Sequence, residues 1–365
     1  CLSQRYQADI LEELPEIDGI MGTGCFGDIV PALEQVMEGR ECRHFADING
    51  PVEELPRVLS TPRHYAYLRI AEGCSNRCAY CVIPSLRGSY RSRRMEDILA
   101  EARALAEDGV RECIVIAQDI TRYGIDLYGE RKLAALLREL CKMDFRWIRL
   151  HYLYPEVITD ELIDVIAEEP KIVKYLDIPL QHVSKRILRA MHRPGDGAEF
   201  TALIEDMRRR IPGLVLRTSL IVGLPGETDD EFAELCEFLQ NAAIERVGVF
   251  EYSPEEGTEA AEMPDQIDAE TKQNRRLIVE ELQSGVLDDY NTSRHGEVMQ
   301  VLVEGFDDEQ QLWYGRTYAD SVEVDGHVYF DAMDTEPGEG EFVSVLITES
   351  LARRPPEGGI TYDYR

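Results

Sequence analysis

Long apolar runs are missing from the sequence. None approaches the roughly 20 residues that a helix needs to cross a bilayer, and no charged stretch followed by an apolar core stands at the start. These absences argue against a membrane protein and against a secretory leader. The chain begins at Cys1 without a methionine. We therefore expect a cytoplasmic protein that is truncated at its front.

Basic residues are scarce. The chain has 39 lysines and arginines against 70 acidic residues, which gives a formal net charge of −31. Proteins that bind nucleic acid neutralise its phosphates with lysine and arginine, so direct nucleic-acid binding is not expected. The charge favours a basic protein as the partner.

The nine cysteines show no disulfide pattern. Their number is odd and their spacing is irregular, which favours a reducing compartment and metal or redox chemistry. Cys113, Cys141 and Cys236 stand in apolar strand or helix patterns, so we expect them to pack in the core. Cys25 and Cys42 have no assigned role.

The middle of the chain alternates apolar strands with amphipathic helices. In the clearest helix Met95, Ile98, Ala102 and Leu105 are spaced by three or four residues, which places them on one face. Repeated units of this kind predict an α/β fold with a parallel sheet, and we expect a partial (β/α)6 barrel. The six predicted strands are residues 65–72, 113–119, 147–153, 175–181, 215–223 and 247–252.

Polar residues alternate along three of these strands. Polar side chains on one face of a strand indicate either a lumen that binds a ligand or buried hydrogen bonds that serve the structure. The sequence leaves both possibilities open. The pairs are Arg149 and His151, Asp177 and Gln181, and Arg217 and Ser219.

The pattern changes at both ends of this alternation. Residues 1–48 have the character of the end of an α/β domain, residues 49–63 of a polar linker, and residues 64–289 of the barrel. Short strands between turn signals predict a small antiparallel β-barrel over residues 290–352, followed by an unstructured tail over residues 353–365. The predicted strands of this β-barrel are residues 298–304, 311–318, 322–330 and 342–349. Between positions 290 and 351 there are 14 acidic residues and two arginines.

Three cysteines stand close together directly after the first predicted strand. The sequence Gly73-Cys-Ser-Asn-Arg-Cys-Ala-Tyr-Cys81 places Cys74, Cys78 and Cys81 four and three residues apart. One loop with this spacing can bind three corners of a 4Fe-4S cluster. The fourth iron then has no cysteine nearby, which leaves it open to the amino and carboxylate groups of S-adenosylmethionine.

Zinc binding and core packing are the competing interpretations of the same cysteines. Structural zinc normally takes four ligands from paired Cys-x-x-Cys motifs, and no second pair lies nearby. Buried core cysteines would need an apolar periodicity, whereas Ser75, Asn76 and Arg77 make this loop polar. The cluster is the interpretation that the spacing favours.

The loop and its flanks resemble the methylthiotransferases of the radical S-adenosylmethionine superfamily. Within that family the chain is most similar to the enzymes that modify an aspartate of ribosomal protein S twelve. The resemblance extends to about residue 350. The segments that carry it are residues 67–88, 90–93, 117–124, 175–182 and 217–227.

The resemblance also implies what the two ends are. Cys1 stands where the family's N-terminal domain has the last of three cysteines for a second 4Fe-4S cluster, and the other two are absent from this chain. The intact enzyme would therefore hold two clusters, and this chain one complete site. The C-terminal β-barrel corresponds to the TRAM domain, which helps to bind RNA in the tRNA-modifying members.

The family's reaction supplies the expected chemistry. The resemblance implies that an electron from the reduced cluster cleaves S-adenosylmethionine to methionine and a 5′-deoxyadenosyl radical, which removes a hydrogen from the β-carbon of the aspartate. Sulfur associated with the second cluster and a methyl group from another S-adenosylmethionine then give 3-methylthioaspartate. The enzyme needs an electron donor.

Six residues are candidates for binding S-adenosylmethionine. Tyr80 precedes the third cysteine and is expected near the adenine, with packing on the loop as the alternative. Gln118 and Asp119 close the second strand, where barrels gather their polar groups. Ser219, Ile221 and Gly223 resemble a Gly-x-Ile-x-Gly pattern of the superfamily, except that Ser219 replaces its first glycine, and an ordinary strand end explains them equally well.

Two alternative functions remain. A related chemistry would methylthiolate an adenosine of tRNA, but the acidic C-terminal barrel would repel a polyanion and attract a basic ribosomal protein. A non-catalytic iron–sulfur protein that docks on ribosomes is the second alternative, and the open coordination position of the cluster argues against it.

Overall fold

The N-terminal part is a small α/β unit. The computed structural model describes residues 1–332, 336–353 and 361–364. The first two strands of this unit pair in parallel, and Cys25 and Cys42 are buried within it. Both helices and strands occur in this stretch, which agrees with the α/β character predicted for residues 1–48. The elements are α1 (Leu2–Arg5), α2 (Gln7–Glu13), β1 (Gly19–Met21), α3 (Ile29–Met37) and β2 (Cys42–His44).

Six parallel strands form the central sheet, as the sequence predicts. They lie side by side in chain order, so the first and last strands are edges and the sheet is a partial barrel. The strands are β3 (Tyr65–Arg69), β6 (Glu112–Ile116), β7 (Trp147–Leu150), β8 (Ile172–Asp177), β9 (Val215–Val222) and β10 (Arg246–Glu251). Between β3 and β6 a small antiparallel pair forms from β4 (Ala71–Glu72) and β5 (Arg91–Ser92).

Amphipathic helices cover the outer face of this sheet. Cys113 and Cys141 lie in the core between helices and sheet, and Cys236 packs against it, which confirms their predicted packing role. No helix in the described ranges is both long and apolar enough to span a bilayer. The helices are α4 (Ile83–Arg87), α5 (Met95–Glu107), α6 (Ile125–Tyr128), α7 (Leu133–Cys141), α8 (Asp160–Glu168), α9 (Lys185–Ala190), α10 (Gly197–Arg210), α11 (Asp229–Ala242), α12 (Glu259–Glu262) and α13 (Ala269–Ser293).

A curled, mainly antiparallel sheet forms the C-terminal domain. Its strands are β11 (Val298–Asp307), β12 (Leu312–Arg316), β13 (Val328–Phe330), β14 (Phe342–Leu346), β15 (Ser350–Arg353) and β16 (Thr361–Tyr364). The sheet order is β14-β11-β12-β13-β16-β15. The expected unstructured tail is wrong for its described residues, because residue 353 is the end of β15 and residues 361–364 pair with that strand and extend the sheet. The rest of that tail lies outside the described residues.

The predicted strand over residues 322–330 is too long, because its first half is not in the sheet. Residues 317–325 form turns that enter the lumen of the partial barrel. Val322 packs against Tyr65 and Ile114 on the inner face of the central sheet, and Ala319 packs against Tyr175. Burial in another domain therefore replaces strand pairing in this segment, which we call the lumen segment.

Polar contacts hold the lumen segment in place at several positions along its length. The Arg246 guanidinium donates to Asp320 at 2.9 Å, and the Tyr175 hydroxyl donates to Asp325 at 2.7 Å. The Ser321 hydroxyl lies 3.0 Å from Nε2 of His151. For Arg149 and His151, buried structural hydrogen bonds are thus the interpretation that the fold supports.

A fully buried carboxylate joins the two domains. Glu112 accepts hydrogen bonds from Arg149 at 2.6 Å and from Arg316 of the C-terminal domain at 2.6 Å, and all three side chains are fully buried. Burial alone would raise the pKa of Glu112, but the charges of Arg316 and Arg149 outweigh it and lower that pKa below its ordinary value. The carboxylate therefore stays charged between two cations.

Replacing Glu112 tests this joint. Glu112→Gln removes the counter-charge of the buried Arg149 and leaves Arg316 with Glu304 alone, and removal of one partner of a buried ion pair typically costs about 3–5 kcal/mol. We expect a clearly lower urea midpoint of unfolding. As the control, Glu139→Gln breaks the exposed pair with Lys142 and is expected to change stability by less than about 1 kcal/mol. Equal midpoints for the two variants would contradict this account.

Candidate functional site

The cysteine loop is closed at its base by the pairing of β4 with β5. Gly73 begins it at φ +79°, and a side chain there would collide with the backbone carbonyls of Gly88 and Ser89. The Cys74 amide donates to the Gly88 carbonyl at 3.1 Å, and the Tyr90 amide donates to the Ser75 hydroxyl at 3.1 Å. The two ends of the loop are thus held together.

Its far side is bound to two other elements of the barrel. The Ala79 amide donates to the Met191 carbonyl at 3.1 Å, and the Ala79 carbonyl accepts from the Ala260 amide at 2.9 Å. Both contacts are made by the residue that follows Cys78. The loop therefore lies across the carboxyl ends of the strands, where barrels place their active sites.

The three cysteines of the loop are sheltered from solvent. Cys74 and Cys78 are buried, Cys81 is half-buried, and all three are free thiols. Burial raises the pKa of the Cys74 thiol to about 11. A thiol of that kind is protonated at pH 7 and binds iron only when the metal centre displaces its proton. The donor set and its shelter fit a metal centre.

Within the described residues, no three or more histidine, cysteine or carboxylate side chains are grouped to hold a single metal ion. Thiolates that share one zinc ion converge on one point. The thiolates of a cubane cluster bind different iron atoms and lie further apart, so this finding concerns a mononuclear site and not the cluster.

Asp119 lies against the cysteine loop, and Gln118 directly precedes Asp119 in the chain. Asp119 is fully buried and accepts a hydrogen bond from the Asn76 amide of the loop at 3.1 Å and from Arg122 at 3.0 Å. The side-chain oxygens of Asn76 and Gln118 are buried, and no group in the described part of the chain forms a hydrogen bond with them. Buried polar atoms of this kind are normally satisfied, so the two oxygens point to a polar ligand.

Tyr80 and Ile221 are brought together although they are far apart in sequence. Both pack against one apolar cluster that includes Met191, Leu224 and Tyr252. An aromatic and an aliphatic side chain at the rim of such a cluster offer an apolar surface to a flat ring. Packing on the loop and contact with an adenine are therefore compatible for Tyr80.

Ser219 and Ile221 already use part of their backbone within the sheet. The Ser219 carbonyl accepts from the Gln181 amide at 2.9 Å, and the Ile221 amide donates to the Gln181 carbonyl at 2.8 Å. To a ligand in the lumen this strand end therefore offers mainly side chains. Gly223 ends the strand at φ +73°.

Glu227 holds the turn at Gly223. Its carboxylate accepts from the amides of Gly223 at 2.7 Å and Leu224 at 3.1 Å, and from Arg275 at 2.9 Å. Burial raises the pKa of Glu227 to about 6, and Arg275 opposes that shift. The aliphatic chain of Lys272 packs directly against the α-carbon of Gly223. The sequence singled out the glycine but not these supports.

Cys1 is exposed and is the N-cap residue of α1. In the same helix turn, Arg5 binds the Glu255 carboxylate at 2.6 Å and the Glu256 carbonyl at 2.9 Å. That segment leads to Ala260, which contacts the loop. The N-terminal unit is thus bound beside the candidate site.

The lumen segment provides a floor below this site, which the sequence did not reveal. His151 follows β7 and lies 3.4 Å from Asp177 through Nδ1, while its Nε2 meets Ser321. Burial alone would raise the pKa of Asp177, but hydrogen bonding to His151 and the charge of Arg217 lower it. Only the long-range fold brings Ser321 to this position, so no local sequence signal could have identified it.

Comparison with known proteins identifies two domain families and a solved structure of similar fold. Residues 68–239 match the Radical SAM superfamily, and residues 296–352 match the TRAM domain. A solved radical S-adenosylmethionine methyltransferase, TsrM from Kitasatospora setae, has a similar fold, with a TM-score of 0.52, 15% identity, and coverage of 68% of this chain and 53% of that one. The central domain is therefore a radical S-adenosylmethionine fold, and the family implies a 4Fe-4S cluster and S-adenosylmethionine as cofactors.

Two curated relatives identify the family within this superfamily. One from Pelotomaculum thermopropionicum is 48% identical over 100% of this chain and 80% of its own length. Another, from Caldanaerobacter subterraneus subsp. tengcongensis, is 47% identical over 96% of this chain and 80% of its own. Both are named ribosomal protein uS12 methylthiotransferase RimO. The chain belongs to the RimO family of methylthiotransferases, which are transferases.

The tight packing at Gly223 is testable. Gly223→Ala places a methyl group against Lys272 and adds the strain of a positive φ. As the control, Gly129 has a similar φ of +75° with nothing within 4 Å of the added atom. We expect Gly223→Ala to cost about 1–3 kcal/mol more than Gly129→Ala and to weaken S-adenosylmethionine binding. Thermal unfolding and calorimetric titration measure both effects, and equal behaviour of the two variants would refute the prediction.

Proposed function

We propose that this chain belongs to an enzyme that converts an aspartate of uS12, protein S twelve of the small ribosomal subunit, to 3-methylthioaspartate. The observation that carries the proposal is the sheltered three-thiol loop beside unpaired polar atoms, in a chain whose relatives bear the name uS12 methylthiotransferase. We place the enzyme in the cytoplasm, with an electron donor as a second partner.

Cys74, Cys78 and Cys81 are the proposed ligands of the radical-generating cluster. When bound, the cluster supplies the single electron for reductive cleavage of S-adenosylmethionine. The loop contributes the shelter, since its hydrogen bonds to the barrel fix the thiols in a partly buried position. Cys1 is proposed as the remaining ligand of a second cluster in the intact enzyme, and its location beside the site supports this role.

The proposed cofactor contacts surround the loop. Gln118 offers an unpaired oxygen to the polar groups of S-adenosylmethionine, and Asp119 positions the loop through Asn76. Tyr80 and Ile221 are proposed to contact the adenine, with Ser219 and Gly223 at the same strand end. The lumen segment fills the space below and excludes water from it, as radical chemistry requires.

Charge favours uS12 over tRNA as the substrate. The C-terminal domain has two arginines against 14 acidic residues between positions 290 and 351. Arg316 is fully buried between Glu112 and Glu304, and Arg294 is paired with Glu297. Neither arginine is therefore placed to bind phosphates, so direct nucleic-acid binding is not part of the proposal, whereas a basic protein would meet an acidic surface.

Co-expression with uS12 tests the proposed function. Mass spectrometry of uS12 is expected to show a methylthio mass gain with the full-length enzyme and none with Cys78→Ala, because a missing thiolate prevents cluster binding. As the matched control, Cys236→Ala removes a half-buried thiol on α11 and is expected to keep the modification.

Two results would contradict the proposal. Methylthiolation of purified tRNA but not of uS12 would assign the tRNA substrate instead. Failure of the reduced, anaerobically reconstituted enzyme to form 5′-deoxyadenosine from S-adenosylmethionine would favour the non-catalytic iron–sulfur alternative.

A further inference from the structure

Arg193 is a buried cation with unused hydrogen-bond donors. Its side chain is 3% exposed. One guanidinium nitrogen donates to the Pro179 carbonyl at 2.7 Å, but Nε and Nη1 have no hydrogen-bond partner among the residues that the structure describes. Leaving a charged donor buried and unpaired is costly, so proteins rarely do it without a ligand to meet it.

The backbone fixes Arg193 relative to the cysteine loop. The preceding residue, His192, adopts φ +57°, which turns the chain inward after α9. His192 Nδ1 lies 3.2 Å from the Arg77 carbonyl, and the Met191 carbonyl accepts from Ala79 at 3.1 Å. These two contacts lie on either side of Cys78 in the sequence, so Arg193 and Cys78 are held as one unit.

The guanidinium lies among aromatic rings and the cysteine loop. It stacks over the Tyr154 ring at 4.3 Å, and Tyr80, Cys78 and the Glu156 carboxylate lie within range of its charge. Among the described residues no carboxylate forms an ion pair with Arg193. The unpaired N–H groups can therefore donate to a negatively charged group beside Cys78.

We propose that Arg193 is a positioning residue for the iron–sulfur cluster, donating its free N–H groups to cluster sulfur near Cys78 and offsetting the charge that one-electron reduction adds. Three thiolates leave the cluster negatively charged, and both hydrogen bonds to sulfur and a nearby cation raise its reduction potential. The inference rests on the proposed cluster site. The carboxylate of S-adenosylmethionine is the other anion that could meet these donors, and the test separates the two.

The test is a redox titration of the reconstituted protein with dithionite, followed by electron paramagnetic resonance without S-adenosylmethionine. Arg193→Met is expected to reduce the ratio of reduced to oxidised cluster at least tenfold at a fixed potential, a downward shift of about 59 mV for one electron. Arg193→Lys, which keeps the charge, is expected to shift less. As the control, Arg189→Met removes an exposed arginine from α9 and is expected to leave the potential unchanged.

Iron content and thermal unfolding are measured first for every variant. If Arg193→Met does not load, Arg193→Gln takes its place with the same expected direction. Unchanged potentials overturn the inference, and so does a change confined to S-adenosylmethionine affinity, which would make Arg193 a cofactor ligand. Failure of the unsubstituted protein to load iron would instead refute the proposed function, so the two failures are distinguishable.

Discussion

The buried carboxylate of Glu112 between Arg149 and Arg316 is the interaction on which the arrangement of the two domains depends. Desolvation makes each of these charges unfavourable alone, so the three are stable only together. Arg149 and Glu112 both belong to the barrel, whereas Arg316 and its second partner Glu304 belong to the C-terminal sheet. The bond from Arg316 to Glu112 therefore joins a buried ion pair of one domain to an ion pair of the other. The contacts of Arg246 with Asp320 and of Tyr175 with Asp325 extend the same dependence along the lumen.

This joint determines the shape of the candidate site. In a closed barrel, side chains from the strands themselves fill the lumen. Here residues 317–325 fill its lower part, and Ser321 reaches His151 at the end of β7. The site above is bounded by that floor, by the cysteine loop, and by the strand end at Gly223. The TRAM domain therefore supplies residues to the interior of the central domain.

Local patterns predicted most of the secondary structure and singled out the cysteine loop. The spacing of Cys74, Cys78 and Cys81 lies within one loop, and the periodicity of α5 lies within one helix, so neither needs long-range information. The lumen segment, Arg193 and the supports of Gly223 could not be predicted in this way. Valine is common in strands, so the sequence predicts that Val322 lies in the C-terminal sheet. It lies outside that sheet because it packs in the open lumen of the barrel.

The lumen segment also bears on the order in which the protein matures. Glu112 and Arg316 are separated by 204 positions, so a chain emerging from the ribosome has all six barrel strands long before the residues that fill their interior. Until residue 325 is released, Arg246 of the barrel cannot yet form its bond with Asp320, and the lumen is open to water. Iron incorporation that requires a finished barrel would then occur only after translation has passed this point.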